Sequence, residues 1–453
     1  MSDIILATIN AKWIHPSLAL RLLKANLGDL EPRSEILEFA LRQPLAEKTG
    51  PILAVHPRIL ALSVSIWNHT ATVELLEALD PLWDSSRPVI VLGGPEASFL
   101  RPDAALFRYA DYVIRGEGET AFRELCKRIL DSKTVTDTVF IDASPVDLPA
   151  ITPAYRLYTA EDLGRKLTYV EASRGCPYGC EFCLSSATPG VREFSLDQFL
   201  AEMETLIIRG ARSFKFLDRT FNLDITRART ILEFFLERLQ PSMYVHLEMV
   251  PSRFPPDLRE LLTRFPPLSL RLELGIQTLN PQTALLIGRP GDPERELETL
   301  DFLRRETNAI VHADLIAGLP GEDMQSFAQG FDRLWKVRPA EIQLGILKCL
   351  SGTAINRHIE PYGMRFNPKP PYEVLETAAI PERDMERIKN FARFWELIVN
   401  RGTFETIIDQ FFPPQAPVFD LFMALSDRLF KRFGRNWGID RRELRRAIPE
   451  EMS

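Results

Sequence analysis

Three cysteines within eight residues constrain this chain more than any other feature. They stand in the run Glu171-Ala172-Ser173-Arg174-Gly175-Cys176-Pro177-Tyr178-Gly179-Cys180-Glu181-Phe182-Cys183, and the chain of 453 residues holds only two more, Cys126 and Cys349. In a reducing compartment such tight clustering reads as metal ligation and not as disulfides. A Cys-x3-Cys-x2-Cys loop can wrap three corners of a cubane iron–sulfur cluster, because Gly175, Pro177 and Gly179 let it fold tightly. The fourth iron is then open to chelation by the amino and carboxylate groups of a small ligand. The competing readings are zinc, which wants four ligands in a structural site, or three unrelated thiols. Cys126 and Cys349 are distant and lie in helix-like and strand-like core patterns, which favours the cluster, with Cys176, Cys180 and Cys183 as its ligands.

At about 150 residues per domain the chain is long enough for about three domains. Hydrophobic residues make up 45% and charged residues 26%, the balance of a globular protein and not of a disordered or fibrous one. The longest apolar runs, such as Ile4–Ile9, fall far short of the ~20 residues a membrane span needs. The N-terminus lacks a basic segment followed by a long apolar one, so the expectation is a cytoplasmic protein without a membrane partner. A formal charge of −7 argues against bulk nucleic acid as partner, while the basic stretch between Arg428 and Arg446 argues the other way; that stretch reads as a solvated helix face, with a substrate-docking patch as the alternative.

Strand and helix patterns alternate over residues 1–135. Asp3–Ile9, Ser34–Phe39, Arg58–Ile66, Val89–Leu92 and Asp111–Ile114 are strand candidates, and Ser17 is placed to cap a helix beginning at Leu18. Five strands alternating with helices predict an α/β, doubly wound parallel sheet of the flavodoxin or Rossmann type, whose ligands sit beyond the strands' carboxyl ends. Periodicity fades over residues 136–163, which read as a linker punctuated by Pro145, Pro149 and Pro153. Six further strands are expected at Leu167–Ala172, Ser213–Leu217, Tyr244–Val250, Leu268–Gly275, Ile310–Ile316 and Glu341–Leu347. They predict a partial (βα)6 TIM-like barrel over residues 164–352, again with its chemistry at the strand ends. Residues 353–453 read as a small helical C-terminal region, with helices over Glu373–Val399 and Phe419–Phe433 and a breaker over 411–417.

With Phe182 before its last cysteine, the motif resembles the signature of the radical S-adenosylmethionine superfamily. The runs Glu273-Leu274-Gly275-Ile276-Gln277, Gly288-Arg289 and Asp314-Leu315-Ile316-Ala317-Gly318-Leu319-Pro320-Gly321 resemble stretches of the oxygen-independent coproporphyrinogen oxidases and their relatives. That resemblance implies a 4Fe–4S cluster, with Glu248, Gln277, Arg289 and Asp314 contacting S-adenosylmethionine and Phe182 at its adenine. Carboxylates and an amide suit hydroxyl and amino groups, and a guanidinium suits a carboxylate. Glu273 and His312 also fall on barrel strands and read as structural.

An α/β domain before such a barrel is similar to the cobalamin-binding radical S-adenosylmethionine enzymes, and the helical C-terminal part resembles an uncharacterised subgroup of them. The implied cobalamin residues stand at the strand ends: Asn10, Trp13, Ser65, Trp67, Asn68, Gly93, Gly94, Pro95, Glu96, Gly116, Glu117 and Glu119. No histidine there lies in an Asp-x-His-x-x-Gly motif, so the resemblance implies a weak or empty lower axial position on cobalt. The run Phe216-Leu217-Asp218-Arg219-Thr220-Phe221-Asn222 looks like an acidic segment of cobalamin-dependent relatives, which implies catalytic roles for Asp218 and Asn222. Methylthiotransferases share the domain order, but theirs brings three additional cysteines where this chain has only Cys126. The expected activity is methylation of an unactivated carbon on a small-molecule or peptide substrate, with a low-potential donor such as flavodoxin or ferredoxin. A radical cyclase or rearrangement enzyme, a radical enzyme without cobalamin, and a non-catalytic corrinoid or Fe–S sensor are the alternatives.

Overall fold

The computed structural model describes all residues except 1, 84–86, 132–137, 189, 403, 405–410, 413–415 and 453. Part of the expected breaker over 411–417 and the start of the expected linker therefore lie outside the described residues. The chain divides into two compact units, residues 1–174 with 191–217, and residues 175–190 with 218–453.

The first unit is built on a parallel sheet of β1 (Ile4–Asn10), β2 (Ser34–Ala40), β3 (Ile59–Ser63), β4 (Val89–Gly93), β5 (Tyr112–Arg115) and β6 (Val139–Asp142), in the order β2-β1-β3-β4-β5-β6. Strand β1 is apolar but for Thr8 and Asn10 because both its faces are covered. Ile5, Ala7 and Ile9 pack with Leu60, Leu62 and Leu75, while Ile4 and Leu6 pack with Leu20, Phe122 and Leu125. Ser17 accepts from the Leu20 amide and starts the helix Leu18–Ala25. Order reverses between β1 and β3, and in a doubly wound sheet this switch point opens a crevice beyond the strand ends.

One difference from the sequence reading is that the stretch 136–163 is not an unstructured connection. It contributes β6, parallel to β5, and the helix Ala160–Arg165, started by a capping box between Thr159 and Asp162. Strand β6 is an edge strand with no fully buried residue, so it carries no apolar pattern and is held by backbone pairing. After it come β7 (Thr168–Val170), β8 (Ser173–Cys176), β9 (Gly190–Glu193) and β10 (Ser213–Phe216), with β7 and β10 paired in parallel.

The second unit continues the βα pattern with β11 (Tyr244–Met249), β12 (Leu270–Gln277), β13 (Ile310–Ala317) and β14 (Glu341–Ile346), each parallel to the next. Burial alternates along these strands. Val245, Leu247, Leu272, Leu274, Val311 and Ala313 are buried, while Glu248, Glu273, Gln277, Asp314 and Gln343 share the other, polar face. Beyond the strands, the expected helix at 373 begins only at Glu382, because Pro381 sets its start and Thr377 closes a turn onto Ile380. A short hairpin of β15 (Arg365–Phe366) and β16 (Val374–Glu376) precedes it. The helices Glu382–Trp395 and Val418–Phe433 pack on the helix Met324–Val337 through Phe331, Phe391, Trp395, Phe419 and Phe422, with Phe391 stacked on Trp395 at 5.6 Å.

Within the first unit, Arg21 is buried and reaches both Glu38 and Asp162 at 2.9 Å. Burial would raise the Asp162 pKa, but the Thr159 amide, Lys166 and Arg21 outweigh it and bring it to about 2. A carboxyl depressed below its unfolded value contributes stability that is complete above about pH 4 and lost as pH falls toward 2. Arg21→Ala removes the buried cation that Glu38 and Asp162 share, leaving Asp162 with Lys166 alone, and is expected to cost about 3 kcal/mol in urea unfolding near neutral pH. In the parent the same measurement should show stability falling between about pH 4 and 2, with a smaller fall in the variant.

Candidate functional site

Cys176 ends β8, and Cys180 and Cys183 follow before β9, in the loop that opens the second unit. Cys180 is buried, Cys176 and Cys183 half-buried. Burial pushes the Cys180 thiol pKa up, the Arg289 guanidinium 3.6 Å from its sulfur pulls it down, and Cys183 and Cys176 push it up again. The three sulfurs are thus close enough to repel as thiolates, and a set of cationic irons suits that donor group. Cys176 has the Thr220 hydroxyl at 3.6 Å. By contrast Cys126 is fully buried, its thiol pushed up to about 12, as a packing residue would be.

Contacts through Glu181 and Gly288 hold the loop. Its Glu181 carboxylate is buried and receives His358 Nε2 at 2.7 Å and the Arg357 guanidinium. The Glu181 amide donates to the Ile287 carbonyl at 3.0 Å, and its carbonyl accepts from Ile355 at 2.9 Å. Gly288 closes the other side at φ +66°, where an added Cβ would come within 2.6 Å of the Gly179 carbonyl oxygen. Sequence reasoning missed Glu181, Thr220 and His358. Glu181 inside the cysteine motif was the available signal, whereas Thr220 and His358 come from remote segments.

Of the residues expected around S-adenosylmethionine, Arg289 lies against Cys180 and donates to the Gly275 carbonyl at 2.5 Å. Gln277 sits at φ +69° beyond a bulge in β12, and a Cβ on Gly275 would meet its Nε2 at 2.5 Å. Gly275 and Asp314 are register partners, as are Glu248 and Glu273, which puts Glu248 and Asp314 on the polar face. Arg219 approaches Glu248 at 3.9 Å. Phe182 is half-buried in the loop.

Asp218 is buried. Asn222 departs from the catalytic expectation: it is fully buried, donates to the Val250 and Arg253 carbonyls at 3.0 and 2.8 Å and accepts from the Val250 amide. Its amide is used up in pinning the loop after β11.

In the first unit the cobalamin candidates separate into two groups. At the switch point Trp13 and Trp67 are 48% and 54% exposed, two partly uncovered rings beside a sheet's ligand crevice. Arg165 and Lys166 lie over the Trp13 ring. Asn10 bonds Glu38, Gly93 ends β4, and Gly94 has room only for hydrogen, since a Cβ would meet the Val64 carbonyl oxygen at 2.6 Å. Pro95 opens the short helix Pro95–Phe99, Glu96 bonds His69 at 2.8 Å, and the Gly116 amide donates to Ser98. The second group is engaged elsewhere. Asn68 is fully buried, and its amide joins Ser65, Thr8, Ile9 and Ser63, so it shapes the crevice wall, as does the buried Ser65. Glu117 is bound by Arg192 and the Val146 amide, and Glu119 by Arg174 at 2.7 Å. These two carboxylates, expected at cobalamin, are neutralised by arginines and hold the unit together.

A cysteine loop of this spacing beside polar barrel-type strands defines a radical S-adenosylmethionine site, and residues 170–334 match the radical SAM superfamily model. Residues 4–126 match the B12 binding domain, and residues 360–439 match DUF4080, described as a protein of unknown function. The chain thus carries the two domains that make up the cobalamin-dependent radical S-adenosylmethionine enzymes, whose cofactors are a 4Fe–4S cluster, S-adenosylmethionine and cobalamin.

Among curated relatives, the ribosomal protein uS12 methylthiotransferase RimO of Moorella thermoacetica is 27% identical over 246 residues, covering 52% of this chain and 53% of RimO. The cobalamin-dependent radical SAM methyltransferase TokK of Streptomyces tokunonensis is 25% identical over 370 residues, 73% of this chain and 53% of TokK. The chain thus spans about half the length of these relatives. The radical S-adenosylmethionine methyltransferase TsrM of Kitasatospora setae shares the fold at a TM-score of 0.60, with 18% identity over 84% of this chain and 81% of TsrM. No helix among the described residues is long and apolar enough to cross a membrane.

Gly288→Ala adds a methyl group where the Gly179 carbonyl stands, at a φ that costs about 1–2 kcal/mol for a side chain. Iron per chain after anoxic reconstitution should fall to roughly half or less of the parent value, with far-ultraviolet circular dichroism unchanged. Full iron content in the variant would show that the loop does not depend on this packing.

Proposed function

We propose that this chain is a cobalamin-dependent radical S-adenosylmethionine methyltransferase that methylates an unactivated carbon of a small-molecule or peptide substrate. The observation that carries the reading is the cysteine loop locked against Arg289, with Gly275, Gln277, Glu248 and Asp314 on the adjoining strands. When bound, a reduced 4Fe–4S cluster supplies the electron that splits S-adenosylmethionine, and cobalamin supplies a methyl carrier.

Cys176, Cys180 and Cys183 would hold three irons as thiolates. Arg289, beside Cys180, would offset their negative charge and orient the carboxylate of the methionine moiety. The carboxylates Glu248 and Asp314 would accept from the amino group and ribose hydroxyls, and the Gln277 amide, turned by its positive φ, would accept from or donate to them. Phe182 would cover the adenine. In the first unit, Trp13 and Trp67 offer apolar surface to a wide flat ring, and Gly93 and Gly94 let backbone approach it. Asp218 is the remaining candidate for a catalytic carboxylate. A cytoplasmic setting and a low-potential donor such as flavodoxin or ferredoxin complete the proposal. A methylthiotransferase is disfavoured by cysteine count, since residues 1–135 hold only Cys126.

The test is anoxic expression with hydroxocobalamin, then metal analysis and incubation with S-adenosylmethionine and a reductant. About four irons and one cobalt per chain, with formation of 5′-deoxyadenosine and S-adenosylhomocysteine, are expected. Cys180→Ala should lose the cluster absorption and 5′-deoxyadenosine formation while retaining cobalt. Iron without cobalt would remove methyl transfer from the proposal, and cobalt without iron would leave a corrinoid binder.

A further inference from the structure

Deeper along the polar face, three potential ligands converge on adjacent strands: His246 on β11, Glu273 on β12 and His312 on β13. One ligand atom of each lies within 4.8 Å of the other two, and among the described residues this is the one such group of histidine, cysteine and carboxylate side chains. Each stands two to four residues before Glu248, Gln277 or Asp314 on the same strand and face, and Glu273 is the register partner of both Glu248 and His312, so the trio adjoins those residues. Gln343 of β14 donates to Glu273 at 3.3 Å and lies 3.5 Å from His312 Nδ1, and Glu341 lies 3.5 Å from His312 Nε2.

One detail distinguishes this group from an ordinary hydrogen-bonded network. His246 Nε2 is fully enclosed and only 3.1 Å from a Glu273 oxygen, yet it makes no hydrogen bond. A buried ring nitrogen left without a hydrogen-bond partner calls for a physical reason, and a cation held between it and the carboxylate supplies one.

We propose that His246, Glu273 and His312 form a binding site for a divalent first-row transition ion of the zinc or iron(II) class. Two imidazoles and one carboxylate are a common donor set for these ions, and protein sites of this kind keep further coordination positions open. Ligand atoms around such an ion stand about 3–3.5 Å apart, so small side-chain rotations close the site. Gln343 orients the Glu273 carboxylate from the second layer of contacts. By joining β11, β12 and β13 the ion would brace the floor on which Glu248, Gln277 and Asp314 stand.

The site uses no cysteine, so it is tested apart from the proposed function. In the full-length chain carrying Cys176→Ala, Cys180→Ala and Cys183→Ala, prepared without cobalamin, cobalt(II) should bind at about one ion per chain. It should give visible d–d bands without the near-ultraviolet thiolate-to-cobalt band, and zinc should displace it and raise the melting temperature. Glu273→Gln keeps the shape and His246→Gln keeps a polar group, and each should weaken binding by roughly 10–100-fold or more while circular dichroism stays unchanged. Absence of stoichiometric binding, a thiolate band, or affinity unaltered in both variants would overturn the assignment.

Discussion

The second unit is organised around a carboxylate placed inside the cysteine loop. Glu181, between Cys180 and Cys183, is buried and receives both His358 and Arg357, while its backbone is bonded on one side to Ile287 and on the other to Ile355. A buried carboxylate without cations would be costly, so loop position and the segment around residues 354–358 must form together. The loop would otherwise be a run of glycine, proline and cysteine with little surface of its own to bury. Its ordering comes from these partners and from Gly288, which lets a backbone turn pass against Gly179.

The same principle recurs in the first unit, where arginines gather carboxylates from distant segments. Arg21 joins Glu38 and Asp162, and Arg174 joins Glu171 and Glu119. Removing one cation leaves several buried charges unmatched, which makes these arginines more important to the fold than any exposed ion pair. They also account for two of the strand-end acids expected at a ligand: Glu117 and Glu119 face arginines, and their charge is already paired.

How much was legible beforehand depended on whether a property is local. The expected parallel strands emerge within a few residues of their observed bounds, because a strand covered on both faces must be apolar throughout and one covered on one face must alternate. Strand β6 escapes notice because an edge strand needs neither pattern, and β16 before Pro381 reads as helix because its short apolar run carries no clear period. Among the site residues, Asn68 and Asn222 look in sequence like polar residues waiting for a ligand at strand ends. In three dimensions each is enclosed, and its amide bonds the backbone of neighbouring strands and loops.

The cysteine spacing, the glycines between the cysteines and the βα periodicity are properties of neighbours along the chain, and from them alone follow the ligand set, the fold class and the family resemblance. Tertiary structure decided what depends on residues far apart in the chain. It brought His358 to Glu181 across 177 positions, set Arg289 beside Cys180 across 109, and gathered His246, Glu273 and His312 from three adjacent strands. No local pattern encodes these meetings, because side chains on separate strands become neighbours only once the hydrogen-bonded register is fixed.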